Sequence, residues 1–305
     1  MIGTVTLKRA LKRAAGYLAV ADAAAFGRRP ARHACILVYH RIADIPFVDP
    51  RLDDWNVDPA TFERQVAALS RGAAIVPLAD LPRRMEEPHA DARPLVCLTF
   101  DDGYANFASA AVPILVRHGA PATVFVVTDV LGREGPMPFD SWSRAHQDGT
   151  PPATWRPLSW EELDRCVATG LVAVGAHSHT HRNGLLATRA ELIDEAARAR
   201  SLLVARYGPA AGEAYSYPYG SRRLGQVTEE YVDAVRQAGF RMAVTTDLGV
   251  VRPGYDPLAL PRVEAHATDS PAVICAKVRG MLGPYRVTDL LRRARRASGT
   301  PDHHV

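Results

Sequence analysis

Seven short apolar runs, at residues 35–39, 74–77, 95–100, 122–127, 171–176, 214–217 and 240–245, alternate with amphipathic segments along most of the chain. Several of them, such as Leu95-Val-Cys-Leu-Thr-Phe100, lack polar alternation, as expected of parallel strands covered on both faces. The helices between them have legible starts. Asp58 precedes Pro59, a cap followed by proline at the first helical position. Ser159 with Glu162, and Thr188 with Glu191, have the capping-box spacing. This alternation predicts a parallel α/β barrel or a doubly wound sheet, and in both the chemistry collects at the carboxyl ends of the strands. The Gly- and Pro-rich stretch 132–157 breaks the rhythm and reads as a long loop or lid over that end. Trp142 and Trp155 on it are candidates for lining a groove, with core packing the plainer role.

Composition narrows the class further. The 305 residues are 47% hydrophobic and 23% charged, which excludes disorder, collagen and coiled coil as the main state. No run approaches the roughly 18 uncharged apolar residues of a spanning helix. Lys8, Arg9, Lys12 and Arg13 precede an Ala-rich stretch that Asp22 interrupts and Arg28, Arg29 and Arg32 follow, a poor imitation of a cleavable signal peptide. Residues 1–33 therefore read as a basic N-terminal helix or extension, able to rest weakly on anionic lipid. Residues 34–285 read as one domain and 286–305 as an Arg-rich tail. A cytoplasmic or membrane-peripheral location is the expectation. The net charge is only +4 and no aromatic residues interleave with the arginines, so no nucleic-acid partner is expected. Cys35, Cys97, Cys166 and Cys275 lie far apart with no CxxC pair, and read as reduced, structural thiols.

Two segments carry the chemistry. In Leu95-Val-Cys-Leu-Thr-Phe-Asp-Asp-Gly-Tyr104 a buried strand ends in two adjacent carboxylates, which do not both ionise freely unless a cation or a donor holds one of them. In Leu171-Val-Ala-Val-Gly-Ala-His-Ser-His-Thr-His181 another strand runs into three histidines within five residues. His177 and His181 can point at one ion while His179 points away, and neutral imidazole is the commonest transition-metal ligand. One Asp and two His around a metal with open positions is a catalytic rather than a closed structural set. The other Asp then has the task of general base on a water, which is metal-assisted hydrolysis. There is no GxSxG, P-loop or GxGxxG, so serine hydrolases and nucleotide binding lack support.

Thr99-Phe-Asp-Asp-Gly103 and His177-Ser-His-Thr-His181 resemble the first two signature motifs of the polysaccharide deacetylases, the carbohydrate esterase family 4 or NodB-homology group. The resemblance runs from about Cys35 to Arg262 and implies a single domain folded as a distorted (β/α)7 barrel. It implies removal of acetyl groups from N-acetylhexosamine polymers, or of O-acetyl groups from other glycans. By the same resemblance Asp101 is the general base, while Asp102, His177 and His181 bind the metal, Zn2+ or another divalent transition metal. The third motif normally holds an arginine before a proline turn. Here the segment is Tyr215-Ser-Tyr-Pro-Tyr-Gly220, so Ser216 stands where that arginine is expected, and Arg262 is the candidate substitute that holds the base. The Tyr219 amide is a candidate oxyanion donor. The usual closing Leu-x-His is not evident. His40, ending Ile36-Leu-Val-Tyr-His40, is the favoured general acid, and His266 is the second candidate. The Ile36-Leu-Val-Tyr-His40 segment resembles the start of the circularly permuted members that act on poly-N-acetylglucosamine and other exopolysaccharides. The implied partner is therefore a bacterial exopolysaccharide or cell-envelope glycan. The rival readings are an O-acetyl glycan esterase and a glycan-binding homologue that has lost catalysis.

Overall fold

A computed structural model describes residues 33–46, 55–87 and 93–283, together with residues 14, 16–18 and 20. The Arg-rich tail and most of the basic N-terminal extension lie outside the described residues. Among the described residues no helix is long and apolar enough to cross a membrane.

Seven parallel strands close into a barrel: β1 (Ala34–Tyr39), β2 (Leu95–Phe100), β3 (Ala122–Val126), β4 (Val172–Ala176), β5 (Ala214–Ser216), β6 (Met242–Leu248) and β7 (Leu260–Glu264). Each pairs with its sequence neighbours, and β1 pairs with both β2 and β7 to complete the ring. The expected barrel is therefore present, but its membership differs from the seven runs read in the sequence. Ala74–Ile75 is a two-residue strand on the first half of β2, outside the ring. The seventh place belongs to β7, whose Leu-Pro-Arg-Val-Glu composition hides it from an apolar-run criterion. A charge can occupy a barrel strand when a partner inside the barrel neutralises it, and Arg262 has one.

Strand alternation separates two cores. Ala34, Ile36, Leu95, Cys97, Phe125, Met242, Val244 and Leu260 pack together inside the barrel. Cys35, Leu37, Tyr39, Val96, Leu98 and Phe100 face the other way, against Phe62, Val66 and Leu69 of α1 (Pro59–Gly72). On this parity the position after Phe100 and the position after Tyr39 both turn inward at the carboxyl rim.

The helices begin where their caps predict. Asp58 accepts from the Thr61 amide at 2.8 Å ahead of α1. Capping boxes open α2 (Trp160–Val167) and α3 (Arg189–Tyr207). Each satisfies orphan amides at a helix start, which typically contributes about 1 kcal/mol. The stretch 132–157 is mostly irregular, with short helical pieces at Arg144–Asp148 and Pro152–Thr154. Trp142 is buried on it and spends its indole N–H on Asp140 at 2.7 Å, so it packs the loop. All four cysteines are free, three of them buried.

Candidate active site

The two acidic residues arise where β2 ends. The Asp101 amide donates to the Tyr39 carbonyl at 2.9 Å, which keeps the backbone in the sheet for one more residue. The chain then turns at Asp102 with φ 72°, and at Gly103 with φ 77°. A Cβ on Gly103 would meet Val126 Cγ1 at 2.9 Å, so the turn needs glycine there. Among the described residues only Asp102, Ser178, His181 and Tyr219 are non-glycine residues at positive φ. Three of them are candidate site residues on sequence, and Ser178 lies between the candidate positions His177 and His181. Such conformations cost of order 1–3 kcal/mol each and persist where the surroundings enforce them.

The enforcing groups are visible around the histidine loop. His181 N–H donates to Ser178 Oγ at 2.8 Å. Glu195 on α3 accepts the amides of His179 and Thr180 at Oε2, at 2.9 and 2.7 Å, and the Thr180 hydroxyl at Oε1, at 2.6 Å. His179 itself contacts Thr128 Oγ1 through Nδ1 at 2.9 Å and stays out of the cluster, as expected.

Asp102, His177 and His181 offer ligand atoms that all lie within 4.8 Å of one another, and all three residues are buried. His177 Nε2 is 3.3 Å and His181 Nε2 3.5 Å from the same Asp102 Oδ1. The His177 Nδ1 is 2.8 Å from the Ser216 carbonyl, which can only accept, so Nδ1 carries the proton. Its Nε2 lone pair then faces a carboxylate oxygen, an arrangement that a cation between them satisfies. In the metal-free protein a proton has to serve instead. Burial alone would raise the Asp102 carboxyl, but hydrogen bonds from His177 and His181 and the nearby His40 charge hold it well below the usual range. Burial likewise disfavours charge on His177, yet Asp101 and Asp102 raise it above an ordinary imidazole. The donor set of two imidazoles and one carboxylate suits zinc or a similar divalent transition metal.

Asp101 does not join that set. Arg262, at the middle of β7 and buried inside the barrel, grips it with both ends of the guanidinium: Nη1 to Oδ1 at 2.8 Å and Nη2 to Oδ2 at 2.6 Å. The arginine also donates to Thr99 Oγ1, to the Thr245 carbonyl and to Ser216 Oγ, so every side of it is occupied. Burial pushes the Asp101 carboxyl up, and the Arg262 charge, then His177, outweigh it and leave the carboxyl below its ordinary value. Ser216 Oγ donates to Asp101 Oδ2 at 3.1 Å. The serine at the arginine position of the third motif thus touches the same carboxylate.

The remaining candidates sit around this centre. Tyr219 follows β5 with φ 59°; its carbonyl accepts from Thr246, and its N–H has no acceptor among the described residues. His40 follows β1 and lies 4.6 Å, ring to ring, from Trp55. Burial lowers its pKa, partly offset by Asp102 and Asp101. His266 follows β7, with Nε2 3.3 Å from Glu264 Oε2. Its amide donates to Asp269, and its carbonyl accepts from Gln65. Pairing of Val38 with Glu264 and of Tyr39 with Phe100 brings His40 to the rim between Asp101 and His266.

Sequence reading missed Glu195, Arg41, Phe139 and Asp140. Arg41 is fully buried, directly after His40, and ion-pairs with Asp140 at 2.5 Å. Only Arg41 adjoins a candidate that the sequence reading had marked. An acid in the middle of a helix or on a loop carries no local sign of its partner.

The fold and the rim define a class: a parallel (β/α)7 barrel with an Asp pair and two histidines at its carboxyl end. The chain belongs to the polysaccharide deacetylase family, whose model matches residues 89–243. Among its relatives is the poly-β-1,6-N-acetyl-D-glucosamine N-deacetylase of Staphylococcus aureus, 22% identical over 248 residues, covering 75% of this chain and 78% of that protein. The protein YxkH of Bacillus subtilis is 24% identical over 186 residues, which are 61% of this chain and 57% of its own length. Among solved structures, the Streptococcus pyogenes deacetylase PplD superposes with TM-score 0.65 at 20% identity, over 82% of this chain and 99% of that one. IcaB from Ammonifex degensii superposes with TM-score 0.64 at 24% identity, over 82% and 98%. Both likenesses establish the common fold.

Proposed function

We propose that this deacetylase is metal-dependent and removes N-acetyl groups from a bacterial exopolysaccharide or cell-envelope glycan of the N-acetylhexosamine type, releasing acetate. The observation that carries the reading is one arrangement with two parts: Asp102, His177 and His181 converge on one point, and beside them Asp101 is held ionised by Arg262. The kinship with a poly-N-acetylglucosamine N-deacetylase supports the substrate class.

Asp102 Oδ1 and the Nε2 atoms of His177 and His181 would hold the ion. When bound, it would polarise the acetyl carbonyl and lower the pKa of the attacking water. Asp101 takes a proton from that water as its oxygen bonds to the carbonyl carbon. The Tyr219 N–H, which has no acceptor among the described residues, donates to the oxygen on which negative charge develops. His40, charged, gives a proton to the sugar nitrogen as the carbon–nitrogen bond breaks, leaving acetate and a free amine. Burial works against the charged form of His40. Its task therefore draws on the nearby Asp101 and Asp102 carboxylates, and His266 beside Glu264 is the competing donor.

The test is acetate release from N-acetylglucosamine oligomers by the purified chain, after chelation and after zinc is restored, with Asp101→Asn in parallel. Zinc-restored release that disappears in the variant is expected. Release from O-acetylated glycans alone would replace the amide reading with an esterase, and silence on both would leave a glycan-binding protein.

A further inference from the structure

The loop 132–157 reaches the candidate metal centre through Phe139. Its ring lies stacked on the His181 imidazole, with centroids 3.8 Å apart and planes 19° from parallel. Tyr219 contacts the same imidazole at 4.9 Å with a 56° tilt. A histidine that binds a metal ordinarily has its ring plane and tautomer set by a hydrogen bond at its second nitrogen. His177 follows that rule through the Ser216 carbonyl. His181 does not: its Nδ1 is buried and has no hydrogen-bond partner among the described residues. Something else has to hold its ring, and of the rings it touches Phe139 is the one stacked flat on it.

Phe139 is in turn firmly placed by its neighbour. Asp140 Oδ2 accepts from Arg41 Nη1 at 2.5 Å, from the Tyr104 hydroxyl at 2.6 Å and from the Trp142 indole at 2.7 Å. The Arg41 guanidinium carbon lies 5.0 Å from the Tyr104 ring centre and 5.5 Å from that of Trp142. Arg41 follows β1 and Tyr104 follows the Asp-Asp-Gly turn, so the loop is pinned to the rim next to the site.

We infer that Phe139 is the positioning residue of His181, its stacked ring doing the orienting that a hydrogen bond does for His177, with Asp140 as the pin that holds Phe139 there. The inference rests on the reading that Asp102, His177 and His181 bind a divalent metal. A flat ring against the imidazole restricts rotation about the Cβ–Cγ bond, which keeps Nε2 turned toward Asp102. Aliphatic replacements fill space without that planar restraint.

Cobalt(II) added to the chelated full chain tests this through its absorption spectrum and through its affinity in competition with a chelator. Phe139→Leu is expected to weaken cobalt binding about tenfold or more and to change the ligand-field bands. Phe139→Tyr keeps the stack and is expected to match the wild type. Asp140→Asn, with the pin loosened, is expected to shift in the same direction as Phe139→Leu. Phe139 is only half-buried, so the melting of the chelated Phe139→Leu protein should stay at the wild-type value. Wild-type affinity and spectrum in Phe139→Leu would overturn the inference while leaving the metal site standing. A wild type that takes up no cobalt, or a His177→Ala variant that takes up as much, would remove the metal reading and this inference with it.

Discussion

Arg262 and Asp101 form a two-ended ion pair inside the barrel, 161 residues apart in sequence and both almost completely buried. Removing one partner of such a pair leaves a charge with no compensation, which costs about 3–5 kcal/mol. Arg262→Ala is therefore expected to lose stability of that order in denaturant titration and to lose most acetate release. Ser216 touches both groups, at 3.1 Å from each, so an arginine there has the same carboxylate within reach. Ser216→Arg placed in the Arg262→Ala background is expected to recover part of kcat/KM. No recovery in a folded double variant would mean that the guanidinium must approach from β7.

Glu195 accepts three hydrogen bonds from the His177–His181 loop and so ties this loop to α3. Glu195→Ala leaves two amides without their acceptor, a loss of about 1–3 kcal/mol. The looser loop should also bind zinc more weakly. Glu195→Gln retains one oxygen for the two amides and is expected to stay closer to the wild type in isothermal titration with zinc. Equal zinc affinity in all three proteins would contradict the role.

The depressed His40 pKa has a stability consequence with a definite sign. Burial, partly countered by Asp102 and Asp101, puts the folded value below that of the unfolded chain, about 6.5. On acidification the unfolded chain therefore takes up this proton first. The contribution is present above about pH 6.5 and is lost as pH falls toward the folded value. Chelated wild-type protein should lose more of its melting temperature between about pH 7.5 and about pH 5.5 than chelated His40→Gln. Parallel curves for the two would show that His40 titrates as it does in water.

The thiols report on the closed barrel. Burial pushes Cys35 and Cys166 up to about 12, and raises Cys97 and Cys275 as well. Thiolate is the reactive form, so a disulfide reagent at neutral pH should find the buried three unreactive in the native state. Half-buried Cys275 should be the first to react, and all four should titrate in denaturant. Fast labelling of Cys35 or Cys97 in native protein would argue against the described interior.

What lies within a few residues was legible in the sequence. A buried apolar run followed by Asp-Asp-Gly, and another followed by His-x-x-x-His, are strand-to-turn patterns whose spacing alone aims side chains at one rim. Their likeness to the family's first two motifs carried the fold and the Asp102, His177 and His181 cluster. Cap residues such as Asp58, Ser159 and Thr188 act on amides three positions away, and they too were readable. The seventh strand was not, because its proline and charges are tolerated only where β1 and β6 flank it and Asp101 neutralises Arg262. Arg262 as the holder of Asp101 was a candidate on sequence, but closing the ring is what joins β7 to the end of β2. Glu195, Asp140 and Phe139 depended wholly on tertiary structure. Their partners lie on other elements, and a hydrogen bond or ring stack across elements leaves no periodicity in the chain that makes it.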